Sequence, residues 1–330
     1  MFSRSAVTVT TGMLALSLLT ACGSSSGGTA ASGGDKSDKI TMGFAQVGAE
    51  SGWRTANTKS IQSSAETAGV DLKFSDAQQK QANQIQSIRS YIKQKVDVIA
   101  FSPVVTTGWD TVLKEAKTAN IPVILTDRAV DSQDKTLYKT FLGSDFVKEG
   151  TKAGEWLVKE EASATGDVNI AELQGTTGSA PAIDRKKGFT EAIAANPKLK
   201  IIATQTGDFT RAGGKQVMEA FLKAHPKGIN VVFAHNDDMA LGAIEAIEAA
   251  GLTPGKDIKI VSIDAVKDGM TALSEGKINY IVECNPLLGP QLMETAKKIV
   301  AGDTVPTRIE TEETVFDQAA ATAALPTRQY

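Results

Sequence analysis

The chain has 330 residues, 42% of them hydrophobic and 22% charged, and a formal net charge of -3. That length can bury two cores, and so mild a charge with no basic patch gives nucleic acid no footing as a partner. Removing residues 1–21, whose only charge is Arg4, moves the net charge by one unit, from -3 to -4, and leaves that conclusion standing.

Arg4 precedes an apolar run from about Met13 to Leu19, which ends in Leu19-Thr20-Ala21-Cys22, a small residue set directly before a cysteine. The pattern resembles a bacterial lipoprotein signal over residues 1–21. The resemblance implies that Cys22 becomes the mature N-terminus and carries a lipid. The protein is then exported and held on the outer face of the cell membrane by that anchor alone, with the cleavage site of an ordinary signal peptide as the alternative. Residues 22–38 form a Gly/Ser/Ala tether that cannot bury apolar surface, and its GSSSG string follows no strand and opens no helix, as a hydrolase nucleophile would require. Cys284 has no cysteine partner other than Cys22, so neither an internal disulfide nor a cysteine-rich metal site is expected.

From Lys39 onward, β-branched runs alternate with apolar residues at roughly 3.6-residue spacing. The spacing predicts strands at Ile40 to Phe44, Val70 to Phe74, Val96 to Phe101 and Ile121 to Leu125. A second series follows at Val168 to Leu173, Leu199 to Ala203, Val231 to Ala234, Ile258 to Ile263 and Ile278 to Val282. Several runs are apolar on both faces, as buried parallel strands require. Two such βα series predict an α/β protein of two doubly wound, Rossmann-like lobes. A short run at Thr140 to Gly143, the break at Glu283 to Pro286 and a last helix from about Leu288 to Ala301 predict repeated crossings between the lobes. The expected lobes are residues 39–144 plus about 284–312, and 145–283 plus about 313–330, hinged around a cleft.

Loops at the carboxyl ends of parallel strands are where such sheets bind ligands. The first of them, FAQVGAESGWR, offers Trp53 as a flat apolar face and Gln46, Glu50 and Arg54 as hydrogen-bonding groups, a mixture suited to a polyhydroxylated molecule. Trp53 serving only as a core residue of its helix is the alternative. Later strand ends carry Asp127-Arg128, Asn236-Asp237-Asp238, Asp264 and Glu283. Asp237 and Asp238 are read first as helix caps, with a ligand contact as the alternative, whereas Arg128 and Arg185 have no acceptor with which to cap. Phe209, in the loop GDFT, is either a second stacking ring or a loop anchor.

The runs ELQGTTGSAPAIDRKKGF, TDR, VFAHNDDMALGA and SID resemble the type I periplasmic sugar-binding proteins of the ribose-binding class. Longer strings, FAQVGAESGWR, QQKQANQI, PVVTTGW and GDFTRAGGK, are similar to the galactofuranose-binding branch of sugar importers. Carried over by motif, the resemblance implies a stacking role for Trp53 with Arg54 beside it, and a hydroxyl-binding pair at Asp127 and Arg128. It further implies polar ligand contacts from Arg185, Asn236, Asp264 and Glu283 and an aromatic contact from Phe209. Glu50, Arg54 and Glu283 stand where ribose binders have less charged residues, so a sugar other than ribose is expected.

The implied protein is a monomer that captures a galactofuranose-like monosaccharide and delivers it to an ABC permease and its ATPase. A sugar sensor serving a chemoreceptor or sensor kinase is the alternative. Enzymatic activity is not expected, and neither are a cofactor or a metal. The sequence contains no G-x-G and no Walker A string, and its two histidines have no motif partners. A repressor is disfavoured because the first strand follows the tether with no room for a helix-turn-helix.

Overall fold

The computed structural model describes Lys39–Tyr330; the predicted signal, Cys22 and tether lie outside the described residues. Five strands and four helices open the chain: β1 (Thr41–Gln46), α1 (Gly52–Ala68), β2 (Asp71–Asp76), α2 (Gln81–Gln94), β3 (Val98–Phe101), α3 (Asp110–Thr118), β4 (Val123–Thr126), β5 (Thr140–Gly143) and α4 (Phe146–Glu160). The second series is β6 (Val168–Gln174), α5 (Ala180–Ile193), β7 (Leu199–Thr206), α6 (Arg211–Ala224), β8 (Val231–Ala234), α7 (Asp237–Ala249), β9 (Lys259–Asp264), α8 (Lys267–Ser274) and β10 (Tyr280–Glu283). Then come α9 (Gly289–Ala301), β11 (Arg308–Glu310), β12 (Val315–Phe316) and α10 (Gln318–Ala324).

These strands make two six-stranded sheets, in the orders β11-β5-β4-β3-β1-β2 and β12-β10-β9-β8-β6-β7. All pairings are parallel except that of β12 with β10. The chain therefore passes between sheets three times: after β5, after β10, and between β11 and β12. The predicted strands are found, most of them shifted by one to three residues toward their polar ends, because parallel ladders continue one or two residues past the apolar run.

Each sheet is buried by aromatic and aliphatic side chains on both faces. Phe44 of β1 stacks on Phe74 of β2 at 6.1 Å between ring centroids, and Phe189 of α5 stacks on Phe233 of β8 at 3.8 Å. Helix α1 begins at Ser51, whose hydroxyl accepts from the Arg54 backbone N–H, so Trp53 and Arg54 fall in its first turn. Helices α4 and α5 lie so close that a Cβ at Gly150 would sit 2.1 Å from the Arg185 carbonyl oxygen. Only glycine permits that approach, and it sets Arg185 beside the side chains of α4. Among the described residues no helix is long and apolar enough to cross a membrane.

Candidate functional site

The carboxyl ends of β1, β4, β6, β8 and β9 face one another across the two sheets, and the residues that follow them line a single cavity. The space between its walls, its open mouth included, is about 280 Å³, of which about 20 Å³ admits the centre of a water-sized sphere. Glu50, Ser51, Trp53, Arg54, Asp127 and Arg128 line it from the first lobe. Phe146, Pro181, Arg185, Phe209, Asn236, Asp264 and Cys284 line it from the second lobe and the crossing after β10.

The first-lobe wall is an ionic network. Arg54 donates to Asp127 Oδ2 at 2.7 Å and to Glu50 Oε1 at 3.1 Å, and the Ser102 hydroxyl donates to the same Asp127 oxygen at 2.8 Å. Burial opposes the charge on Asp127, but Arg54 and Arg128 outweigh it and hold the carboxyl below its ordinary range. Arg128 is less well served. Its nearest carboxylate oxygens are 3.5 Å away on Glu50 and, from Nε, 3.7 Å away on Asp127, and Nε makes no hydrogen bond. Burial, with the like charge of Arg54, brings its guanidinium down to about 10. Glu50 Oε2 is buried and unpartnered as well.

The second-lobe wall centres on Arg185. It donates to Glu149 Oε2 at 2.7 Å and to the His235 carbonyl at 2.6 Å, lies 3.6 Å from Asp264, and places its guanidinium carbon 5.0 Å from the centre of the Phe146 ring. Burial raises the Asp264 carboxyl well above its ordinary value, with Arg185 opposing and Asp237 adding to the rise. The apolar faces are held in place by polar contacts. Trp53 Nε1 donates to the Cys284 carbonyl at 2.7 Å, and Asn236 Nδ2 donates to the Phe209 carbonyl at 3.0 Å. Phe209 has φ 62°, and its ring occupies space that any side chain at residue 175 would take, since a Cβ on Gly175 would lie 1.8 Å from the ring. Asp127 (φ 63°) and Asp264 (φ 125°) also adopt backbone conformations that L-residues seldom hold, which is common at ligand sites.

The family model for the periplasmic binding protein domain matches residues 42–304. The chain belongs to that family. It is 50% identical over 280 residues to the galactofuranose-binding protein of Escherichia coli, covering 84% of this chain and 87% of that one. A Mycobacterium smegmatis protein solved in complex with β-D-fucofuranose is 69% identical, with a TM-score of 0.87 over 88% of this chain and 95% of that one. The binding protein of the Shewanella sp. ANA-3 arabinose ABC transporter, bound to α- and β-L-arabinofuranose, is 49% identical, with a TM-score of 0.84 over 88% and 96% of the two chains.

In this periplasmic binding protein, nine of the ten residues singled out from the sequence line one cavity; Glu283 does not. Its carboxylate turns away to accept from Arg328 and from the Tyr330 hydroxyl, both at 2.8 Å, because the end of the chain folds back under β10. Gln46 is likewise spent within its own lobe, on Asn57 and Thr58. The cap of α7 is Asn236, which accepts from the Met239 N–H. Asp237 instead accepts from the Ser262 hydroxyl at 2.6 Å and the Val266 N–H at 2.8 Å, so its expected capping of α7 is corrected to a tie between β9 and the start of α8. Glu149, Phe146, Pro181 and Cys284 were not foreseen. Glu149 lies on the buried stripe of α4 with Phe146 and Ala153, so a carboxylate in register with apolar residues was the available signal.

Ligand atoms of Glu149, Cys284 and Glu313 lie within 4.8 Å of one another. Arg185 already sets a cation against Glu149, and burial pushes the Cys284 thiol well up, both of which oppose a metal ion there. The same thiol is no activated nucleophile. What the cavity offers is hydrogen bonding of both polarities beside aromatic faces.

Proposed function

We propose that this protein captures a monosaccharide in furanose form in the cavity between its lobes, releases it unchanged, and delivers it to an ABC importer. The observation that carries the reading is the pair of unpartnered buried atoms in the cavity wall, Glu50 Oε2 and Arg128 Nε. A buried acceptor or donor without a hydrogen-bond partner costs about 1–3 kcal/mol, and more when charged, so a ligand that supplies both kinds of partner relieves that cost. Sugar hydroxyls donate and accept at once, while Trp53, Phe146 and Phe209 offer the apolar surface that a sugar's C–H face needs. The relatives that are a galactofuranose binder, or were solved with fucofuranose and arabinofuranose, support the furanose ring.

The ligand contacts belong to Glu50, Trp53, Arg54, Asp127, Arg128, Arg185, Phe209, Asn236 and Asp264. The lobes are residues 39–144 with about 284–312, and 145–283 with about 313–330. The protein acts as a monomer. The Leu19 to Cys22 pattern supports a lipid anchor at Cys22, and Cys22→Ser then releases the protein from membranes on fractionation.

Thermal shift and calorimetry with galactofuranose, arabinose, ribose, amino acids and nucleosides test the ligand. A true ligand at a hundredfold its Kd adds about 2.7 kcal/mol of stability. A flat response to all sugars beside a clear response to amino acids or nucleosides overturns the reading. Sugar uptake that persists in a strain lacking the protein assigns it to sensing instead of import.

A further inference from the structure

The two lobes also touch outside the cavity. The Gly52 backbone N–H donates to Asp238 Oδ2 at 2.8 Å, and the Thr106 N–H donates to the Gly178 carbonyl at 2.9 Å. Gly52 opens α1 in the first lobe and Asp238 sits in the first turn of α7 in the second, so this bond exists only while the lobes are shut. Its position is consequential. Ser51, Trp53 and Arg54, on either side of Gly52, line the cavity, and Asn236, two residues before Asp238, lines it from the other side, whereas Gly52 and Asp238 themselves do not.

We propose that Asp238 is a positioning residue that latches the closed cleft and so sets how long the sugar is retained, without touching it. The inference rests on the ligand reading above. The first N–H groups of a helix have no partner within it and carry its positive end, so a carboxylate placed there makes a charge-assisted bond. The surrounding charges limit its strength: Arg211 supports the Asp238 carboxylate, while Asp268 and Glu50 oppose it. The latch therefore reinforces a closure that the ligand drives. Because the bond is absent from the open form that first meets the sugar, its loss raises the dissociation rate and leaves association alone.

Stopped-flow binding of galactofuranose to wild type, Asp238→Ala and Asp238→Asn tests the latch, alongside the melting temperatures of the ligand-free proteins. Asp238→Ala is expected to dissociate about tenfold faster, the worth of one charge-assisted bond, with an unchanged association rate and unchanged ligand-free melting. Asp238→Asn keeps an acceptor for the Gly52 N–H and is expected to fall between the two. Wild-type dissociation in Asp238→Ala overturns the latch, as does a loss of affinity matched by a fall in ligand-free melting temperature. A wild type that binds no galactofuranose overturns the ligand reading and the latch with it.

Discussion

Arg54 reaches Asp127 at 2.7 Å across the wall of the cavity, where the two side chains are 2% and 5% exposed. Neither residue could be buried there alone. An isolated charge out of water is costly, and removing one member of a buried pair leaves the other uncompensated. The pair thus holds a carboxylate and a guanidinium at fixed positions facing the space a ligand would fill.

Asp127→Asn is the substitution that separates charge from backbone. Asp127 holds φ 63°, a conformation that Asn tolerates, so the turn survives while the charge is lost. Breaking a buried pair costs about 3–5 kcal/mol, and we expect part of that as lost stability and at least about a tenfold loss of sugar affinity. Calorimetric titration with galactofuranose checks it. Wild-type affinity in this variant would place the ligand elsewhere.

Gly175→Ala addresses the aromatic side. The added methyl would overlap the Phe209 ring, which must move away from the cavity wall. Overpacking of this kind costs about 1–3 kcal/mol, and affinity is expected to fall with it. A double variant with Phe209→Ala removes the clash, so its loss of stability should be smaller than the sum of the two single losses. Strict additivity in denaturant unfolding would show that the two positions do not compete for space.

How much of this could be read from the sequence depended on whether the signal was local. Asp127, Arg128 and Asp264 stand at or just past the ends of buried strands, where packing alone wants apolar residues, and all three line the cavity. Glu283 obeys the same local rule and fails it, because the residues that claim its carboxylate, Arg328 and Tyr330, arrive from more than forty positions away. Nothing in the pattern around β10 announces them. Glu149 was missed for the opposite reason: its environment is local, but a carboxylate inside a helix reads as solvated unless its position on the apolar stripe is weighed. The Asp237 correction is a shift of one residue, since Asn236 took the cap and left Asp237 pointing inward.

Asp237→Ala accordingly should cost more than a lost cap. The fully buried carboxylate serves two donors, Ser262 and Val266, and its removal strands both in a dry interior. With about 1–3 kcal/mol for each unsatisfied buried group, the loss is expected to exceed 2 kcal/mol, well above the ~1 kcal/mol typical of a cap. Sugar affinity measured below the unfolding transition should change little. A loss of 1 kcal/mol or less in urea would return Asp237 to a capping role.

The pH dependence of stability should carry the mark of Glu149. Burial raises its carboxyl from 4.5 to about 8, with Arg185 opposing and Glu313 adding to the rise. Between those values the folded protein holds a proton that the unfolded chain has released, so the stability from this group is fully present below about 4.5 and is lost as pH rises through about 8. Asp237, pushed to about 7 chiefly by burial, acts in the same direction. His235 acts oppositely: burial holds its imidazole below 6.5, so its contribution is lost on acidification below that value and is constant above it. The window from about 6.5 to 8 therefore isolates the buried carboxyls. Each pH unit there costs up to about 1.4 kcal/mol per titrating group, so the wild type is expected to lose on the order of 2 kcal/mol across it. Glu149→Gln cannot titrate and should make the fall of melting temperature with pH shallower over that window, leaving the part due to Asp237 and Asp264, with the acid side unchanged. A Glu149→Gln protein whose melting temperature falls with pH as steeply as the wild type's would mean that Glu149 is already ionised throughout, balanced by Arg185.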